Sequence, residues 1–166
     1  AMASGKKLLD TPLPKGRQTV WAINLEDPRD ELNRRLVAAA IYYGLTPSDL
    51  GNRLYVDSGL ERPLRTATMS KHGSFDIVEP VYEHIEKEIR DRKIDVIIVD
   101  PFVSSHELSE NDNMMIDRIA KRWAMLAYRC GVAISLVHHT RKPDAKDSEL
   151  TADSARGASA LIAAAR

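Results

Sequence analysis

Ile94-Asp95-Val96-Ile97-Ile98-Val99-Asp100-Pro101 is the stretch on which the fold turns. Ile94 to Val99 is almost wholly apolar and β-branched. It predicts a strand covered on both faces, the mark of a parallel sheet. Upstream, Asp76 to Arg92 places Val78, Val81, Ile85 and Ile89 on one helical face and Glu, Lys and Arg on the other. Downstream, Asp112 to Arg129 repeats the pattern with Ile116, Ile119, Ala120, Trp123, Leu126 and Ala127 inward, and Gly131 stops it. Val132 to Val137 then reads as another buried strand. A strand, a crossover helix and a second strand make the parallel βαβ unit.

The same alternation extends toward the amino end. Thr19-Val20-Trp21-Ala22-Ile23 reads as a buried strand after a turn-rich stretch. Asp27-Pro28 predicts a helix start, Asp as cap and Pro at the first helical position. Leu32, Leu36, Ala39, Ala40 and Tyr43 follow at helical spacing until Gly44. Leu54-Tyr55-Val56 is a weaker strand. Residues 58–75, with Gly59, Pro63 and Gly73, read as a long loop. Residues 100–111 and 140–151 read as polar loops, and a last helix is expected from 152. The fold expected is α/β: three layers, a mostly parallel twisted sheet with helices on both faces.

Composition narrows the class. In 166 residues, 24 Lys and Arg balance 24 Asp and Glu. Zero net charge argues against a polybasic nucleic-acid wrapper, so any phosphate binding must be local. No apolar run approaches the ~20 residues of a membrane span, and the start lacks the apolar core of a signal peptide. The single cysteine, Cys130, excludes an internal disulfide framework and suits a reducing cytoplasm. It reads as packing, as do Met114, Met115 and Trp123. Ala1 to Gly5 reads as the last turn of a helix closed by Gly5, and 152–166 runs on without a stop signal. One domain over 1–166, cut from a larger one at both ends, is therefore expected.

Ligands of open parallel sheets bind at the carboxyl ends of the strands. Three strands here end in ionisable groups: Asn24-Leu25-Glu26-Asp27, then Asp100, then His138-His139-Thr140-Arg141-Lys142. Four apolar residues followed by Asp100 form the Walker B pattern, in which a strand-end carboxylate holds Mg²⁺ beside a phosphate. The alternative is an Asp that opens a loop before Pro. Glu26 could orient and deprotonate an attacking water. Alternatively, Glu26 and Asp27 serve the positive amino end of the next helix, which suits Asp27 better than Glu26. His138 and His139 point to opposite faces if they share a strand, so one could sense a phosphate while the other packs. Arg141 and Lys142 could grip phosphates or lie in a solvated loop. His106, Glu107, Glu110 and Asp112 have no recognised metal-ligand spacing.

Taken in order, Asn24-Leu25-Glu26-Asp27-Pro28, Ile97-Ile98-Val99-Asp100-Pro101, Val137-His138-His139-Thr140-Arg141-Lys142 and Ala155-Arg156-Gly157-Ala158-Ser159-Ala160-Leu161 resemble the RecA-like ATPases of the RepA type. These are hexameric replicative helicases, also grouped with AAA-type ATPases. The resemblance spans the chain and implies a RecA-like P-loop NTPase core, ATP with Mg²⁺, and a ring with sites between subunits. It implies Glu26 as the catalytic glutamate and Asp100 as the Walker B metal residue. It implies His139, or His138, as the histidine that couples the γ-phosphate to loops facing single-stranded DNA. Those loops would be about 103–111 and 140–152, with Ser105, His106, Arg141, Lys142 and Lys146. Arg166 is placed like an arginine finger.

One departure is large: no Gly-x-x-x-x-Gly-Lys-Ser/Thr occurs in the chain. The family's first strand and phosphate loop would precede Ala1. Two other classes compete with a motor. One is a metal-dependent hydrolase using Asp100, His138 and His139 on Zn²⁺ or Mn²⁺. The other is a RecA-like module that assembles or loads without catalysis.

Overall fold

In the computed structural model, residues 1–7, 13, 15–69, 74–109 and 112–138 are described. The elements run β1 (Val20–Asn24), α1 (Arg29–Tyr42), α2 (Pro47–Leu50), β2 (Leu54–Ser58), β3 (Ala67–Met69), β4 (Phe75–Ile77), α3 (Glu79–Arg92), β5 (Val96–Asp100), α4 (Asn113–Cys130) and β6 (Ala133–Leu136), with a 3₁₀ turn at Phe102–Ser105 after β5. β2, β1, β5 and β6 lie side by side in that order, and every pairing among them is parallel. The chain is thus α/β, a parallel four-stranded sheet flanked by helices, as in a RecA-like P-loop NTPase core.

Alternation along the strands divides the apolar residues between two layers. Trp21, Ile23, Ile97 and Val99 point to one face, where α3 and α4 cover them with Ile85, Ile89, Ile116, Ile119, Trp123 and Leu126. Val20 and Val96 point the other way, against Ala3 of the amino-terminal turn and against Leu50 and Leu54. α1 adds only Leu32 as a buried residue on that side. Both strand faces of β1 and β5 are therefore roofed. That is why Val96 to Val99 carries no alternation of polar and apolar residues.

α3 and α4 are joined by a buried seam. Tyr82 is fully buried, edge-on to Trp123 with ring centroids 5.3 Å apart. The Arg122 guanidinium lies 4.3 Å over the Tyr82 ring. Arg122 Nη2 also donates to Glu79 Oε2 at 2.7 Å, and this holds the Glu79 carboxyl below its usual range. α4 starts on Asp112, whose carboxylate accepts from the Met115 N–H at 3.1 Å, and ends on Gly131 at φ +67°. That left-handed closure suits glycine.

Several expectations are corrected. The loop read over 58–75 contains β3 and β4, an antiparallel pair that matches Ala67 to Ile77 and Met69 to Phe75. Strands of three residues are too short to show a period. Asp76 and Ile77 accordingly belong to β4, and the helix begins at Glu79, with Pro80 in its first turn. Asp27 does not cap α1; Pro28 stands at the cap position without a side-chain bond. Leu36 and Ala39 are exposed, as are Val37, Ile41 and Tyr42. β6 is not buried on both faces: Ala133 and Ser135 are exposed while Ile134 and Leu136 pack toward α4. Among the described residues β6 is an outer strand, so only one of its faces is roofed. The polar loop after β5 has a buried anchor, Phe102, with Ser105, His106 and Leu108 beside it. The final helix expected from 152 lies outside the described residues.

α2 carries a pH-sensitive cap. Thr46 N–H donates to Asp49 Oδ2 at 2.7 Å, the Thr46 hydroxyl donates to the same oxygen at 2.8 Å, and Lys6 lies 3.1 Å away. These bonds, the backbone one first, bring the Asp49 pKa from 3.8 to about 2. A depressed folded-state pKa stabilises above the unfolded value and loses that contribution as pH falls through the folded one. The difference in thermal midpoint between the wild type and Asp49→Asn should therefore be constant above pH 5. It should shrink between about pH 4 and pH 2 in thermal melts.

Candidate functional site

Parallel register brings three strand tips to one edge. Asn24, the last residue of β1, pairs with Ser58 of β2 on one side and Asp100 of β5 on the other. The chain leaves β1 over the β5 tip, with the Leu25 N–H donating to the Asp100 carbonyl at 2.7 Å. Leu25 is buried, so the next residue, Glu26, is held at the surface beside Asp100.

The three carboxylates at this edge differ in what they touch. Asp27 is engaged: Arg35 Nη1 donates to Oδ2 at 2.7 Å and Nη2 to Oδ1 at 3.2 Å, and Asn24 Nδ2 donates to Oδ2 at 3.2 Å. A bidentate guanidinium makes it a brace between the strand tip and α1. Glu26 is exposed, and its carboxylate bonds to no described residue. Asp100 is half-buried, and its carboxylate is likewise unengaged among the described residues. Among the described residues, two uncommitted carboxylates thus stand at adjacent strand tips while the third is spent on structure.

That arrangement suits hydrolytic phosphate chemistry. A lone carboxylate at a strand end is the donor Mg²⁺ takes when substrate phosphates and water fill its other positions. Asp100 fits it, by oxygen donor type and because no described residue competes for its carboxylate. Glu26 can accept a proton, since no described residue holds its lone pairs. Beside Asp100, α1 and the sheet enclose an open concavity of about 200 Å³. Ala22, Leu32, Val56 and Ile98 form its apolar wall, with Arg35 and Asp100 among its polar members.

Among the other expected site residues, His138 follows β6 and is half-buried, edge-on to Phe102 with centroids 6.5 Å apart. The Phe102 N–H donates to the Val137 carbonyl at 2.7 Å, so the loop after Asp100 is stitched to the β6 end. Ser105 and His106, expected on a loop facing DNA, lie at the end of the 3₁₀ turn after β5 and just beyond it, both buried. Ser105 is fully buried, with its hydroxyl donating to the Phe102 carbonyl at 2.7 Å. The His106 ring is packed edge-on to Phe102 at 4.9 Å. Anchoring by Phe102 turns both side chains inward and leaves Ser104, Glu107 and Ser109 outermost. His139, Arg141, Lys142, Lys146 and Arg166 lie outside the described residues. Among the described residues no group of three or more His, Cys, Asp or Glu side chains is placed to hold a metal ion. No helix among them is long and apolar enough to cross a membrane.

Sequence reasoning did not single out Asn24 or Arg35. The signal for Asn24 was an Asn at a strand end just before a turn, where its side chain accepts from backbone amides two and three residues on. Arg35 had no comparable signal, because its partner lies eight residues away across a helix start.

A family model described as AAA domain matches residues 1–145. No curated protein matches the chain.

Proposed function

The chain belongs to the AAA domain family, and on that premise we propose that it forms the core of a Mg²⁺-dependent ATPase of the RecA-like, RepA type. Family membership supports the coarser statement, a nucleotide-binding, ATPase-like function. The observation that carries the finer one is the contrast at the strand tips: Glu26 and Asp100 are engaged by no described residue, while Asp27 is braced by Arg35.

In this mechanism Asp100 would hold Mg²⁺, directly or through its water, and the ion when bound would supply neutralisation of the charge that develops on the phosphates. Glu26 accepts a hydrogen bond from a water in line with the γ-phosphorus and takes its proton as the new P–O bond forms. The bond to the β–γ bridging oxygen breaks, and ADP and phosphate leave. Leu25, bonded to the Asp100 carbonyl, keeps the base and the metal residue on one rigid edge.

The wider reading follows the resemblance to RepA-type helicases. We assign His139, with His138 beside it, to sensing the γ-phosphate. Arg166 acts as the finger on a neighbouring subunit's nucleotide in a hexameric ring. Arg141, Lys142 and Lys146 carry contacts to single-stranded DNA.

The phosphate cradle sets the test. Backbone amides and the Lys of a Gly-rich loop supply most of a triphosphate grip, and no such motif occurs in these 166 residues. Isothermal titration of residues 1–166 with Mg-ATP should therefore give no saturable binding in the micromolar range. The natural full-length gene product should bind and hydrolyse ATP. Micromolar affinity in the 166-residue chain would sink this division of labour, and absence of hydrolysis in the full-length product would leave a non-catalytic module.

A further inference from the structure

We propose that Asn24 is a positioning residue for Glu26, acting through the backbone and without touching substrate. The proposal deepens the function above and rests on Glu26 being the base.

Asn24 Oδ1 accepts the Glu26 N–H at 3.0 Å and the Asp27 N–H at 2.7 Å. The same side chain's Nδ2 donates to Asp27 Oδ2 at 3.2 Å, and Asp27 is clamped in turn by Arg35. One amide side chain therefore ties both residues of the turn that carries the base. The rest of the tip is fixed from outside. Leu25 is bonded to Asp100, the Gly59 N–H donates to the Asn24 carbonyl at 2.7 Å, and the Ser58 hydroxyl donates to the Asp27 carbonyl at 2.8 Å. Gly59 also presses on Leu25 so closely that a Cβ there would stand 2.8 Å from the Leu25 Cα. Leu25 and Asp27 thus have anchors in other elements. The Glu26 amide is held by Asn24.

The residue type follows from the charges around it. Asn24 pairs with Asp100 across the register and touches the Asp27 carboxylate. A neutral amide can accept two backbone N–H groups and still donate to Asp27. A carboxylate in its place would accept both, but would face Asp27 with like charge. A base displaced by about 1 Å loses on the order of a hundredfold in rate, so fixing the Glu26 backbone bears on turnover far more than on nucleotide affinity.

The test uses the natural full-length gene product and four variants: Asn24→Ala, Asn24→Asp, the reciprocal pair N24D/D27N, and Glu26→Gln as reference. Asn24→Ala is expected to lower kcat by roughly ten- to a hundredfold with the ATP Kd within about twofold, and to speed amide hydrogen exchange at Glu26 and Asp27. The reciprocal pair keeps the acceptor at 24 and replaces the like-charged carboxylate at 27 with an amide donor, and should recover most of the kcat that Asn24→Asp alone loses. An unchanged kcat in Asn24→Ala, with Glu26→Gln inactive, overturns the positioning role and leaves the base standing. Unchanged turnover in Glu26→Gln overturns both. If Asn24→Ala does not fold, equal losses in Asn24→Asp and the reciprocal pair overturn the proposal, and recovery in the pair supports it.

Discussion

Glu26→Gln in the natural full-length gene product is expected to cut ATP hydrolysis by about 10² to 10⁴-fold, the usual contribution of a general base, while ATP still binds. Glutamine matches glutamate in size and can still orient a water, but it cannot take the proton. Affinity should survive because the Glu26 carboxylate bonds to no described residue. For the same reason the fold should be unaffected, within roughly 0.5 kcal/mol as for other exposed substitutions. Phosphate release at saturating Mg-ATP, measured beside equilibrium binding of ATP, separates the two effects. Turnover within about threefold of wild type would assign the base elsewhere and favour the module without catalysis. Asp27→Asn is the control, because the Asp27 carboxylate is already engaged by Arg35 and Asn24. It should show in stability before it shows in chemistry.

Trp123→Ala should be the most damaging single substitution in the core. The indole is 1% exposed, packed on Tyr82 and on the sheet face formed by Ile97 and Val99. Truncating such a side chain removes its burial and leaves a cavity, a loss of about 3–5 kcal/mol. Small domains have only about 5–15 kcal/mol in all. Urea unfolding should show a midpoint shifted far down at nearly constant slope. Tyr128→Ala on the same helix, at an 86% exposed position, should move it little. Equal effects of the two would mean that the seam between α3 and α4 is not where the fold is held.

Much of this molecule was legible before the structure. The β5 strand could be read because residues roofed on both faces are apolar without interruption. α4 could be read because Ile116, Ile119, Trp123 and Leu126 recur at the helical period, and all four are buried. The strand-end rule then placed Glu26 and Asp100 on one edge, and the register pairs the strands that carry them. The β3–β4 pair was not legible, since its stability comes from partners six to ten residues away and not from any local period. The inward turn of Ser105 and His106 was hidden for a similar reason: it follows from Phe102 docking on the β6 end.

Sequence alone determined the layer order, the parallel sheet and the two acidic strand tips. These follow from periodicity and chain topology, which act over a few residues at a time. Only the tertiary structure decided which of the adjacent acids, Glu26 or Asp27, is left unengaged by the described residues. Arg35 reaches Asp27 from α1, Ser58 reaches its carbonyl from β2, and Asn24 turns back onto both amides. Whether a carboxylate is spent on structure or left for chemistry depends on hydrogen-bond partners from other elements, and those partners are placed by packing.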